Sequence, residues 1–179
     1  MNEFVDNPRQ SPRARVRCSA RIVAGGSSLE GETEDVGATG CLVVAPAPLR
    51  SPSPLEVHLA VRPVSRFDPR LFHKTTDRAP YDEARRARPE GFDVLLWNEE
   101  GEATEFTIGN LVAELDGERV TPPREAGLLG GVFRAALLVR GEVVERTVPV
   151  AALARAGRLW LVNALRGWVP VVLRPGERA

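Results

Sequence analysis

Short apolar runs punctuated by glycine and proline dominate the chain from Leu55 onward. Phe92-Asp93-Val94-Leu95-Leu96-Trp97 is apolar on both faces and predicts a buried strand, closed by the turn Asn98-Glu99-Glu100-Gly101. Leu111 to Leu115 predicts a second strand. It runs into Asp116-Gly117, the strongest hairpin signal in the chain, and returns through Arg119-Val120-Thr121. Further strands are expected over Leu55 to Val61, Glu142 to Val148, Leu159 to Val162 and Trp168 to Leu173. Helices are expected over Tyr81 to Arg88, which Pro89 and Gly91 end, over Val132 to Arg140, and over the short Val150 to Arg155. Upstream, Ala14 to Val23 and Ser28 to Val36 read as strands around the turn Gly25-Gly26-Ser27, and Cys41 to Ala45 is a third apolar run. Pro46, Pro48, Pro52 and Pro54 predict a stiff connector, and residues 1–12 lack periodicity and read as a disordered tail. Mixed strands and short helices with no repeat predict an α/β or α+β domain over residues 13–175, best organised from 55 to 175.

Composition removes several function classes. At 179 residues, 43% of them apolar, the chain is long enough for one domain with a real core. Basic and acidic residues balance at 24 each, so nothing in the overall charge points to nucleic acid or an anionic membrane. Cys18 and Cys41 are isolated, and with His58 and His73 they make no metal-binding spacing. No run of eighteen apolar residues exists and the first residues are acidic and polar, so the expectation is a cytoplasmic protein without membrane or nucleic-acid partners.

Three local features carry chemistry. Of the 24 Lys and Arg residues only Lys74 is a lysine, set in Phe72-His73-Lys74-Thr75-Thr76. An amine can lose its proton and attack an aldehyde, which a guanidinium cannot; against this stands simple arginine bias in the composition. Glu102 to Asn110 reads either as a solvated loop or as a segment that buries Glu105 against a protonated ring nitrogen. Gly127 to Gly131 ahead of the Val132 helix reads either as a tight turn or as free backbone amides suited to phosphate, without the Lys-Ser/Thr ending of a nucleotide-binding loop. An amine, a carboxylate and a phosphate cup are together what a pyridoxal-phosphate site needs, although spacing alone does not identify the cofactor.

Leu71-Phe72-His73-Lys74-Thr75-Thr76-Asp77-Arg78 with Tyr81-Asp82, Leu95-Leu96-Trp97-Asn98, Gly101-Glu102, Thr104-Glu105, Thr107 and Gly109-Asn110 resemble the class-IV pyridoxal-phosphate aminotransferases. Thr121-Pro122-Pro123, Gly127-Leu128-Leu129, Gly131-Val132, Arg134 and Leu161 to Gly167 continue the likeness, which most resembles the 4-amino-4-deoxychorismate lyases of this family. The resemblance implies a fold-type IV large domain, a barrel-like mixed sheet with short helices, and pyridoxal 5'-phosphate as cofactor. It places the covalent link to the cofactor aldehyde and the proton shuttle on Lys74, and the pyridine-nitrogen partner on Glu105. It puts phosphate amides at Val132 and Phe133, a second phosphate-side loop at Asn163-Ala164, and Arg78 and Tyr81 toward the cofactor face. Arg134 and Arg166 accompany these motifs as structural or rim residues.

The implied activity releases pyruvate and 4-aminobenzoate from a small-molecule substrate in folate synthesis. A class-IV amino-acid aminotransferase and a non-catalytic, partner-binding remnant are the alternatives. The family's small N-terminal domain is expected to be missing, since Arg13 to Val61 resembles the first strands of the large domain. Homodimerisation is expected, with aminodeoxychorismate synthase or a separate small domain as a further partner. A weaker resemblance, of Arg13-Ala14-Arg15-Val16-Arg17 and Glu34 to Gly40 to cyclic-di-GMP-binding PilZ domains, lacks the serine that pattern wants at Gly37.

Overall fold

The computed structural model of the chain describes residues 19–24, 27–37, 40–44 and 54–174. The expected tail 1–12, Gly25-Gly26 of the first turn and the proline connector up to residue 53 lie outside them. Contacts divide the chain into two compact units, Met1–Arg50 and Ser51–Ala179, so the domain expected over 13–175 spans both. In the first unit, β1 (Ser19–Ala24), β2 (Ser27–Gly37) and β3 (Gly40–Val44) form an antiparallel sheet in the order β1-β2-β3. Its register shifts between Thr33 and Asp35, the mark of an irregularity in β2.

The second unit is a closed barrel with a side extension. Its strands are β4 (Leu55–Leu59), β5 (Asp93–Trp97), β6 (Ala103–Phe106), β7 (Gly109–Leu115), β8 (Glu118–Thr121), β9 (Val144–Glu145), β10 (Leu159–Asn163) and β11 (Gly167–Arg174). The sheet order is β10-β11-β4-β5-β6-β7-β8-β9, and β10 also pairs with β7, which closes six strands into a ring. One edge of β7 is shared. Gly109 and Asn110 face β6, while Ala113 to Leu115 face β8. Pairing is parallel for β11–β4, β4–β5 and β8–β9 and antiparallel elsewhere, so the sheet is mixed.

Alternation along the strands separates two faces. Val57, Leu95, Phe106, Leu111, Ala113, Leu161, Val169 and Val171 fill the barrel. The intervening residues turn outward; helices cover those of β5, β7 and β10, whereas Glu56 on β4 and Pro170 and Val172 on β11 stay exposed. Helix α1 (Ala79–Ala87), preceded by a 3-10 turn at Pro69–Leu71, brings Tyr81 and Leu71 against Ala60, Val94 and Leu96. Helix α2 (Val132–Val139) sets Leu137 against Val112, Val143, Trp160 and Val162. The Asp116-Gly117 hairpin forms as expected, with both residues at positive φ (54° and 79°), the backbone that this dipeptide tolerates best.

Three expectations need correction. The strand expected over Glu142 to Val148 is reduced to Val144–Glu145, because its apolar residues serve different cores: Val143 joins the α2 cluster and Val148 the barrel. Val150–Arg155 is a 3-10 helix held by i→i+3 bonds such as Ala152 N–H to Pro149 O, and is not an α-helix. The solvated-loop reading of Glu102 to Asn110 fails, since Ala103–Phe106 is a strand whose four residues are all buried between β5 and β7.

Candidate functional site

Glu105 and Asn110 are cross-strand neighbours on β6 and β7, on the outer face of the barrel where the two helix-covered regions meet. Both side chains are about 4% exposed. The Glu105 carboxylate accepts three hydrogen bonds. Tyr81 Oη donates from α1 at 2.8 Å, Leu129 N–H from the loop before α2 at 2.9 Å, and Asn110 Nδ2 from β7 at 3.1 Å. Burial pushes its pKa up to about 8, and the Leu129 and Tyr81 donors, with the nearby Arg78 and Arg134 charges, only partly oppose the rise. A carboxylate offers about four acceptor positions. Tyr81 and Leu129 take Oε1, Asn110 takes one side of Oε2, and one position on Oε2 is left. A buried anion in this state gains most from a cation that also donates a hydrogen bond.

Tyr81 is fixed from the other side by Arg78, whose guanidinium lies 4.7 Å from the ring centroid. Burial, with the Glu105 charge beside it, raises the phenol pKa, so Tyr81 stays a donor. The Arg78 side chain in turn donates to Thr107 O at 2.6 Å. This β6–β7 turn is a hub. The Thr107 hydroxyl donates to the buried Asp93 carboxylate, whose pKa burial raises, and Ile108 O accepts from Asn163 Nδ2 at 3.0 Å. Asn163 Oδ1 accepts from Leu165 and Arg166 N–H, at 3.1 and 2.8 Å, and so closes the β10–β11 turn that carries Ala164.

Before α2, Gly127 adopts φ 93°, where a Cβ would also sit 2.8 Å from Arg66 Cα. Gly131 is the N-cap of α2 and gives no side-chain cap, so no side chain of the helix's own cap claims the amides at Val132 and Phe133. Val132 is exposed and Phe133 is half-buried against the α2 cluster. Arg134 is buried and donates to Pro122 O at 2.7 Å and Thr121 Oγ1 at 3.2 Å, which suits a brace for the helix. Lys74 is exposed, on the connector between the 3-10 turn and α1.

The hydrogen bonds thus join Tyr81, Glu105, Asn110 and Leu129 in one cluster around β6 and β7, and tie Arg78, Asp93 and Asn163 to the adjoining β6–β7 turn through Thr107 and Ile108. Lys74, Val132, Phe133 and Ala164 lie on segments leading into α1, α2 and the β10–β11 turn. Sequence reasoning gave no role to Asn110 or Asp93, and it offered the Leu129 amide, within Gly127 to Gly131, to phosphate, whereas the structure commits it to Glu105. The available signal was polar residues, Asp93 and Asn110, in strands otherwise apolar. Among the described residues no His, Cys, Asp and Glu group could hold a metal, and no helix is long and apolar enough to cross a membrane.

A closed mixed barrel with a few short helices on its outer face is the arrangement of the fold-type IV pyridoxal-phosphate enzymes. Residues 3–173 match the family described as "Amino-transferase class IV", and the chain belongs to that family. That match takes in both segments of the PilZ-like pattern. A Schizosaccharomyces pombe protein, "Putative aminodeoxychorismate lyase", is 38% identical over 82 residues, 44% of this chain and 36% of its own length. The chain therefore spans little more than a third of that relative. A solved structure from Mesorhizobium loti, "Putative amino-acid aminotransferase", is 31% identical with a TM-score of 0.67, covering 84% of this chain and 75% of its own. The 4-amino-4-deoxychorismate lyase structure from Pseudomonas aeruginosa shares the fold at 21% identity and a TM-score of 0.61, covering 83% of this chain and 64% of its own.

Proposed function

We propose that the chain binds pyridoxal 5'-phosphate and serves as the cofactor domain of a lyase that cleaves 4-amino-4-deoxychorismate to pyruvate and 4-aminobenzoate. One observation carries the cofactor reading: Glu105 is a buried carboxylate with a raised pKa, three donors already in place and one acceptor position left. A protonated pyridine nitrogen is the cation that position fits. The amides at Val132 and Phe133 would hold the phosphate, helped by the N-terminal end of the α2 dipole.

When bound, pyridoxal phosphate supplies an electron-withdrawing ring that stabilises negative charge on the substrate carbon bearing the amine. The remaining work belongs to the chain. Glu105 keeps the proton on the ring nitrogen, and Tyr81 and Asn110 hold Glu105. The Lys74 amine would hold the cofactor through its aldehyde and, once free of it, would accept and return protons. Arg78 fixes the tyrosine and the β6–β7 turn. The S. pombe likeness supports lyase over aminotransferase chemistry, and the M. loti likeness supports the alternative.

Assembly belongs to the same reading: a homodimer, completed by aminodeoxychorismate synthase or a separate small domain. Phe67, Val132, Val139 and Leu165 are large apolar side chains left exposed in the chain by itself, and those that such an assembly covers would be expected among them. The test mixes purified chain with pyridoxal phosphate, reduces with borohydride and maps the added mass. Attachment at Lys74 and pyruvate release from aminodeoxychorismate are expected. A chain that leaves the cofactor spectrum unchanged sinks the cofactor reading, and keto-acid formation from an amino acid that requires a second keto acid as amino acceptor replaces the lyase with an aminotransferase. Light scattering that shows a monomer alone and with the synthase ends the assembly reading.

A further inference from the structure

We propose that Asn110 is a positioning residue that ties the Glu105 carboxylate to Leu129, so that the carboxylate and the loop opening α2 are set as one piece. The inference rests on the reading of Glu105 as the ring-nitrogen partner. Three bonds close a cycle. Leu129 N–H donates to Glu105 Oε1 at 2.9 Å, Asn110 Nδ2 donates to Leu129 O at 2.7 Å, and the same Nδ2 donates to Glu105 Oε2 at 3.1 Å. A cross-strand pair of side chains thus claims both polar groups of one loop residue, as a neighbouring strand would. Both N–H bonds of the Asn110 amide are spent. Its Oδ1 lies against Gly131, where any Cβ would collide with it, so the asparagine also fixes where the N-cap of α2 can sit.

Each alternative at position 110 loses part of this. Apolar residues leave Leu129 O and Glu105 Oε2 without a donor, and Asp supplies acceptors where donors are needed. The pair belongs to a sheet, so its geometry is fixed before any cofactor arrives, and the loop inherits that precision. The consequence is coupling. A cation that holds Glu105 ionised strengthens the bond to Leu129 N–H and steadies the loop whose next amides begin α2. Ring and phosphate ends of the site are therefore not independent.

The test uses the cofactor-free chain. In the wild-type protein, NMR should show the Asn110 side-chain amide protons and the Leu129 N–H titrating with the same midpoint as the Glu105 carboxyl carbon. In Asn110→Ala, that midpoint should rise by about one pH unit for the lost donor, and Leu129 amide exchange should quicken about tenfold. Asn110→Asp keeps the volume and should raise the midpoint further, because it sets a second carboxylate beside the first. Separate wild-type titrations for the amides and the carboxyl overturn the proposal, even if neither variant folds. So does a variant with unchanged midpoint and exchange. Borohydride trapping on the wild-type chain is read apart from these. Its failure removes the cofactor reading, whereas a failed titration with intact trapping removes only the role of Asn110.

Discussion

On β6 and β7, Phe106, Leu111 and Ala113 turn into the barrel and join its apolar cluster, while Glu105 and Asn110 on the same two strands turn outward and are almost as deeply buried. The inner face gains stability in proportion to the apolar area it removes from water, and a good fit is all it requires. The outer face buries a carboxylate that would be cheaper in water, and surrounds it with donors aimed at fixed positions. One pair of strands thus carries both the stability of the barrel and a polar site that draws on that stability. The two faces should separate experimentally.

The largest stability effect is expected inside the barrel. Phe106 is 1% exposed at the centre of the main cluster, and Phe106→Ala should cost about 3–5 kcal/mol, lost contacts and a cavity together. Urea denaturation would measure it. If the faces are separable, the pH dependence of what stability remains should be unchanged in form. A variant that flattened it would show that the inner packing sets the carboxylate's environment.

Glu105→Gln should act on that pH dependence. Below about pH 4.5 the carboxyl is protonated in both folded and unfolded chains. As pH rises toward 8 the unfolded chain ionises while the folded chain keeps its proton, so the fold loses stability through that window and levels off above it. The loss should reach a few kcal/mol in the cofactor-free protein, at about 1.4 kcal/mol for each pH unit that separates the folded from the unfolded midpoint. Gln cannot ionise and should remove most of the slope. A smaller slope of the same sign should persist from Asp93, whose pKa burial also raises. Gln also turns an N–H toward one of the three donors, at roughly 1–3 kcal/mol at every pH, so the slope and not the height is diagnostic. Melting temperatures from pH 5 to 9 check it, and parallel curves for the two proteins would mean that Glu105 titrates normally.

Gly131→Ala should follow at roughly 1–3 kcal/mol. The backbone at Gly131 (φ −64°, ψ 142°) is open to any residue, so strain is not the reason. The added Cβ meets Asn110 Oδ1, a side chain held by two hydrogen bonds and unable to swing away. Alanine is also poorer than glycine at an N-cap, so lost stability alone is not diagnostic; the Glu105 titration is, since a Cβ that displaces Asn110 should raise its midpoint whereas a plain capping loss would leave it unchanged.

The inner face was the legible one. Apolar runs marked β5, β7, β10 and β11, and Asp116-Gly117 marked the hairpin, because burial and turn backbone act through neighbouring residues. The outer face was legible only as a set of candidates. Ala103-Thr104-Glu105-Phe106 reads as a loop because half of it is polar, and only pairing with β5 and β7 makes it a strand. Tyr81 and Asn110 meet at Glu105 across three elements, and Leu129 joins through its backbone, which no side-chain pattern announces. The family resemblance named Glu105 and Tyr81, yet which groups orient the carboxylate had to come from geometry.

The smallest stability effect is expected at Lys74, where the chemical effect should be total. Its side chain is exposed on the connector into α1, and Lys74→Arg keeps the charge, so stability should stay within about 0.5 kcal/mol of wild type. The guanidinium cannot form the covalent link, and no other lysine exists in the chain. Borohydride reduction in the presence of pyridoxal phosphate should therefore add no cofactor mass to any internal peptide of the variant, while its urea midpoint remains that of the wild type. Trapped cofactor within the Lys74→Arg chain would break the assignment of the amine, with only the N-terminal amine left to explain it. A large loss of stability would break it differently, by showing that Lys74 holds structure and that the outer face reaches further along the connector than its hydrogen bonds indicate.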